Sequence, residues 1–438
     1  MILIFCKRNS QRLTYSFNLL FNTLLGMEWE YTDNADAFRE CQGAKVCYGS
    51  EPLTGKEVFI RADGLLFETG IRHSVPPVSE RAGCQVLFPD TEGQCHAGYD
   101  LFSAAFFLVS RYEEYLPHVK DRFGRFEASE SLAFKNGFLH RPVVDIYAWH
   151  LKKLLSERFP GLIFPERTFR FIPTIDIDIA FAYKGRGLIR TMYGAARSLL
   201  TGDFGRLSER VGVLSGKTPD PYDTYGDQMM LHAKYRSSPY YFFLCGDHGP
   251  LDKNISYLSA SFKKLVREMA RHATIGIHPS FASDSKPRIL NKEMKRLAEL
   301  SNKPVTCSRQ HFLKLQLPHT YRALIANNIT HDFSMGYASR PGFRSGTCTP
   351  FYFYDLERET ATSLKVVPLT VMDGTLRDYL GLSPGQAIQT IRELMDEVKG
   401  VNGTFVSLWH NDAFSEKGSW AGWKKVYEEM LKMMSIMG

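Results

Sequence analysis

Between residues 169 and 410, short apolar runs end one after another in a carboxylate or an imidazole. The clearest is Thr174-Ile175-Asp176-Ile177-Asp178, and two others close on histidine: Ile275-Gly276-Ile277-His278 and Phe405-Val406-Ser407-Leu408-Trp409-His410. Side chains alternate along an extended strand, so Thr174, Asp176 and Asp178 share one face while the isoleucines between them pack on the other. Two carboxylates this close raise each other's cost of ionisation. A metal ion, a shared proton or a substrate to deprotonate would justify keeping them together, and a solvated strand end is the plain alternative.

Strand patterns fall at 169–176, 240–245, 274–278, 305–308, 330–333, 366–369 and 404–409, with helical periodicity near 256–271, 289–302, 318–328 and 384–399. About seven strands alternating with helices predict an α/β fold, either a parallel (β/α) barrel or a doubly wound sheet. In both, function gathers at the carboxyl ends of the strands. Asp176, Asp178, Asp247, His278, Arg309, His311, Asp332, Asp373 and His410 all fall there. Gly246-Asp247-His248-Gly249 reads as a turn or as an extra ligand source, and 200–236 as an inserted rim or lid.

A chain of 438 residues is too long for one small core. Residues 1–165 read as a smaller mixed α/β domain, with strands at 1–5 and 58–61, helical stretches at 101–109 and 145–157, and a turn-rich segment at 121–126. Pro160, Gly161 and Pro165 mark its boundary with a second domain, 166–438. The first domain carries no catalytic constellation; Arg111, Glu113 and Arg125 read as an ion-pair network or a binding patch.

The net charge of +7 comes without a long Lys/Arg run, which argues against a nucleic-acid surface but allows a basic groove for acidic glycan or phosphate. The eight cysteines form neither a Cys-x-x-Cys pair nor a zinc spacing, so buried reduced thiols in a cytoplasmic protein are expected. The apolar opening precedes its basic residues, the reverse of a signal peptide, and no apolar run of about twenty residues predicts a membrane span. Nucleotide-binding glycine fingerprints and the Gly-x-Ser-x-Gly elbow are absent, so nucleotide cofactors and serine-hydrolase chemistry have no support.

Taken in order over about 170–412, the strand tips resemble the motifs of the polysaccharide deacetylase family, also called NodB-homology or carbohydrate esterase 4. Thr174-Ile-Asp176-Ile-Asp178 resembles its first motif, His278-Pro279-Ser280-Phe281-Ala282-Ser283 its second, and Gly342-Phe343-Arg344-Ser345-Gly346-Thr347 its third. Val371-Met372-Asp373-Gly374 and Leu408-Trp409-His410 resemble the fourth and fifth.

The resemblance implies a distorted (β/α) barrel and metal-dependent deacetylation of an acylated sugar or glycan precursor; for an Asp and His donor set zinc is the expected divalent ion, with cobalt, nickel or iron as alternatives. It implies His278 as a ligand, one of Asp176 and Asp178 as ligand and the other as base (by order, Asp178 the ligand and Asp176 the base), His410 as acid, and Arg344 and Asp373 as orienting groups. Arg309, Asp332, Tyr337, Tyr352 and Trp409 are the residues expected to bind substrate. The family's further histidine, four residues after His278, is Ala282 here, and His311 is the expected substitute ligand. Two other readings stay open: a non-catalytic glycan-binding or assembly protein, for which Ala282 speaks, and hydrolysis of a small non-peptide amide. Ser110-Arg111-Tyr112-Glu113-Glu114-Tyr115, Ser308-Arg309-Gln310-His311 and Trp409-His410-Asn411 resemble a bacterial subgroup with an uncharacterised N-terminal domain, which implies surface glycan metabolism.

Overall fold

A computed structural model describes residues 1–284 and 286–435. The chain opens with four strands, β1 (Ile2–Phe5), β2 (Trp29–Thr32), β3 (Lys45–Gly49) and β4 (Val58–Arg61), in an all-parallel sheet ordered β2-β1-β3-β4. Such a sheet is covered on both faces, and the alternation of its side chains shows it. Ile2, Ile4, Val46, Tyr48, Val58 and Ile60 enter the main core, while Phe5, Cys47 and Phe59 pack against Phe38 of helix Ala35–Glu40. An antiparallel hairpin, β5 (Val78–Arg81) and β6 (Cys84–Leu87), follows. Helix Leu101–Val109 is buried along its whole length and starts at Asp100, whose carboxylate accepts the Phe102 and Ser103 N–H groups.

The second sheet has nine strands: β7 (Arg170–Ile177), β8 (Tyr240–Phe243), β9 (Thr274–Ile277), β10 (Cys307–Ser308), β11 (His331–Asp332), β12 (Phe351–Asp355), β13 (Thr360–Val366), β14 (Val371–Met372) and β15 (Thr404–His410). Their order is β12-β13-β11-β10-β9-β8-β7-β15-β14, and all neighbours are parallel except the β12–β13 hairpin. The mixed α/β architecture with one large sheet is as expected, but the sheet has nine strands where about seven are expected of a distorted barrel, and its hydrogen-bonded ladder does not close among the described residues. Only Val366 of the expected strand 366–369 lies in a strand, and the next residues cross the gap. Val367 N–H donates to Asp332 O (2.8 Å), Leu369 N–H to Met335 O (2.9 Å) and Thr370 N–H to Val406 O (3.0 Å), linking the two sides of the gap by single bonds.

One apolar cluster runs through both sheets. Tyr15 (tilted) and Phe106 (edge-on) pack against the Tyr354 ring at 5.0 and 5.1 Å, and Asp145 accepts from Thr347 Oγ1 (2.6 Å) and Cys348 N (3.1 Å). All eight cysteines are unpaired and seven are buried. No helix among the described residues is long and apolar enough to cross a membrane.

Candidate metal centre

β7 pairs with β15 along the whole of β15, setting His410 opposite Asp176, and with β8, which pairs with β9. Strand tips from across the sheet are thereby neighbours. Asp176, Asp178, His278, His311 and His410 line one cleft of about 210 Å3. Within it, Nε2 of His278 lies 3.1 Å from Asp178 Oδ1 and 3.7 Å from Asp176 Oδ2, and Nε2 of His311 lies 3.4 Å from Asp178 Oδ2. One donor atom each from Asp178, His278 and His311 fall within 4.8 Å of one another.

The opposite ring nitrogens are already engaged. Nδ1 of His278 donates to the Arg309 carbonyl (2.5 Å), and Nδ1 of His311 donates to Asp252 Oδ1 (3.0 Å). A carbonyl can only accept, so Nδ1 of His278 carries the hydrogen and a neutral ring aims the Nε2 lone pair at carboxylate oxygens. Lone pairs facing lone pairs require a proton or a cation between them. Metal-binding histidines are commonly held this way, by a carbonyl or carboxylate on the far nitrogen. Oδ1 of Asp176 is buried without a hydrogen-bond donor, a further sign of a missing positive partner. The donor set of two imidazoles and a carboxylate fits a divalent transition ion.

Electrostatics agree with this arrangement. Burial opposes its charge, but His311 and His278 hold the Asp178 carboxyl well below the usual carboxylate range. Burial likewise disfavours the His311 imidazolium, yet Asp178 and Asp252 raise it to about 9. Across the cleft, Asp373 is wholly buried and takes two bonds from His410, Nδ1 at 2.8 Å and the backbone N–H at 2.7 Å. Burial again opposes the charge, but Asp373 above all holds the His410 imidazolium well above its ordinary value.

The other expected residues lie elsewhere, for physical reasons. Arg309 and Asp332 are wholly buried: Arg309 donates to Thr174 Oγ1 (2.7 Å) beneath the cleft, and Asp332 binds Ser308 Oγ (2.8 Å) and Ser334 N (2.9 Å). Arg344 is captured by Glu114 (2.7 Å), with Tyr337 and Arg111 alongside (3.0 Å), so Arg344 and Tyr337 belong to a buried network rather than to the cleft. Trp409 follows strand alternation away from His410 and packs on Tyr427. Tyr352 is half-exposed on the edge strand β12, lining a different cavity. Asp247 pairs with Arg296 (2.7 Å) and Lys292 (3.1 Å) and does not line the cleft.

Sequence reasoning missed Asp252, which lies in an irregular loop. It accepts the Phe281 and Ala282 N–H groups (2.8 and 3.1 Å) as well as His311. It also missed Phe312, Gln310 and Tyr379 in the cleft wall, and left Arg125 without a place. From the turn-rich segment 121–126, Arg125 reaches the cleft and donates to Phe312 O (2.8 Å) and Tyr379 OH (3.2 Å).

A family of unknown function (DUF7033) matches residues 2–160. No curated protein matches the chain. Among solved structures, the chain is similar to a "putative polysaccharide deacetylase" from Mycobacterium smegmatis at 14% identity, over 63% of this chain and 87% of that one, with a TM-score of 0.42. The PuuE allantoinase matches at 9% identity over 62% and 87% of the two chains, with a TM-score of 0.37. A polysaccharide deacetylase from Bacillus cereus matches at 12% identity over 61% and 89%, with a TM-score of 0.28.

Proposed function

We propose that this chain is a metal-dependent hydrolase that removes an acyl group, as amide or ester, from a sugar or glycan precursor. The observation that carries it is the convergence of two imidazole Nε2 atoms, each with its far nitrogen held by an acceptor, on the Asp178 carboxylate. In this reading Asp178, His278 and His311 hold a divalent ion, with zinc the natural choice for such donors and cobalt, nickel or iron compatible. Bound there, the ion supplies Lewis-acid polarisation of the acyl carbonyl and acidifies a water.

Asp176, at the cleft surface, takes a proton from the attacking water. The buried Arg309 guanidinium lies beneath it, close enough to feel the Asp176 charge. His410, kept cationic by Asp373, gives a proton to the departing amine or alkoxide. Asp373 acts through His410 and positions it.

A second reading, hydrolysis of a small non-peptide amide, is favoured by the size of the cleft, about 210 Å3.

Elemental mass spectrometry of the purified chain, with acetate release from acetylated oligosaccharides and turnover of a small cyclic amide, tests the proposal. About one transition ion per chain is expected, lost in His278→Ala and His311→Ala. Asp176→Asn is expected to keep the metal and lose roughly 10²-fold or more in turnover. A protein that stays metal-free after incubation with zinc, cobalt or nickel would overturn the hydrolase reading in favour of a non-catalytic glycan-binding role.

A further inference from the structure

Helices Leu188–Leu200 and Phe204–Leu214 form a hairpin whose outer surface is unusually apolar. Leu188, Ile189, Met192, Leu199 and Leu200 are 82%, 85%, 69%, 54% and 88% exposed, at spacings that put them on one helical stripe. Phe204, Val211 and Leu214 make a second stripe at positions i, i+7 and i+10, exposed by 67%, 58% and 48%. Contiguous exposed apolar surface of this kind marks an interaction site, whereas isolated apolar residues need no explanation.

The flank of the same hairpin is strongly basic. A cavity of about 720 Å3 is lined by Arg186, Arg190, Arg197, Arg206 and Arg210. Among the described residues none of these five forms an ion pair with a carboxylate. The carboxylates nearby are otherwise engaged. Glu209 pairs with Lys417 (3.2 Å) and accepts Tyr183 OH (2.8 Å), Asp203 caps Arg206 N (2.9 Å), and Asp220 accepts the N–H groups of Ala182, Tyr183, Lys184 and Tyr222.

Arg210 is nine-tenths buried, makes one bond to Thr191 O (3.1 Å), and leaves its Nε without a partner. Burial and the neighbouring Arg190 push the Arg186 guanidinium down, so the cluster is short of negative charge.

We propose that the hairpin 188–214 and its arginine-lined cavity dock on an anionic phospholipid bilayer, apolar stripes against the acyl chains and arginines on the lipid phosphates. Apolar stripes flanked by cationic side chains are the pattern of helices that lie in a membrane interface. A second copy of the chain would set arginine cluster near arginine cluster, and a soluble anion would leave both stripes in water. An anionic bilayer satisfies both features at once. Ser415, Lys417 and Trp420 also line this cavity.

Co-sedimentation of the full chain with phospholipid vesicles tests this. Vesicles of phosphatidylcholine containing about 30% phosphatidylglycerol are expected to bind at least roughly tenfold better than phosphatidylcholine alone, and less well as salt rises. Leu200→Asp and Arg197→Glu, both at the surface, are each expected to weaken binding roughly tenfold with an unchanged thermal midpoint. Absence of binding to the anionic vesicles, or equal binding by both variants, overturns the proposal. Two other outcomes do so as well: inorganic phosphate or pyrophosphate bound without vesicle binding, which identifies a soluble-anion site, and a solution dimer split by Leu200→Asp, which identifies a second copy as the cover.

Discussion

Glu114→Gln offers a quantitative test of how the N-terminal region is joined to the second sheet. Glu114 Oε1 accepts from Arg111 Nε (2.7 Å) and Arg344 Nε (2.9 Å), and Oε2 accepts from Arg344 Nη2 (2.7 Å). The three side chains are 4%, 1% and 1% exposed. Burial pushes the carboxyl up, but Arg344 and then Arg111 outweigh it and bring it down to about 2. A fall of that size from the ordinary value near 4.5 corresponds to roughly 3 kcal/mol of folding stability. That agrees with about 3–5 kcal/mol expected for breaking a buried ion pair by removing one partner.

The sign follows from the depressed folded-state value. The contribution is complete above the unfolded carboxyl's pKa and disappears as pH falls through about 2. Urea unfolding of wild type and Glu114→Gln should therefore differ by roughly 3 kcal/mol at pH 7, with the gap narrowing below about pH 4. A gap under about 1 kcal/mol at pH 7, or one that does not narrow in acid, would refute the reasoning.

Three further outcomes are expected. Asp252→Asn removes the charge that fixes His311 and should weaken metal binding about 10- to 100-fold in chelator competition; unchanged affinity would show that the loop carboxylate does not support the ligand. Because His311 Nε2 must shed a proton to bind metal and is held at about 9, apparent affinity should rise with pH between 6 and 8 by up to roughly tenfold per unit, and a flat profile would exclude His311 as ligand. His410→Ala should lower turnover by roughly 10²-fold while metal content stays constant, and metal loss would make His410 a ligand instead of the acid.

The parts of this molecule legible in its sequence are those written in strand alternation. Asp176, Asp178, His278 and His410 could be placed together because each ends an apolar run, and carboxyl ends of parallel strands meet on one side of a sheet. The short strands β2 and β3 and the hairpins β5–β6 and β12–β13 were not legible. β13 illustrates why. Most of its side chains reach solvent, so the hydrophobic period that reveals a strand is missing over Thr360–Ser363. The residues expected to bind substrate fall outside the cleft lining because a sequence shows which residues sit near strand tips but not which face they take. Trp409 and His410 differ by one residue and point to opposite sides.

The position held by Ala282 is where sequence and structure meet most usefully. The resemblance to polysaccharide deacetylases leads one to expect a histidine there, and alanine in its place speaks for the non-catalytic reading. In the folded chain the backbone of that segment serves a different end. The N–H groups of Phe281 and Ala282 grip the two oxygens of Asp252, and Asp252 grips Nδ1 of His311, which turns Nε2 toward Asp178. Backbone donors do not depend on the side chain at 282, so alanine there removes an imidazole without removing the support for one supplied from the next strand tip. The same logic explains Arg309. With Arg344 committed to Glu114, the positive charge beneath Asp176 comes from the strand that leads to His311, whose carbonyl at Arg309 also fixes His278. Arg309-Gln310-His311 thus places three groups at once, so shifting its register by one residue would move the buried cation, the acceptor for His278 and the candidate ligand together.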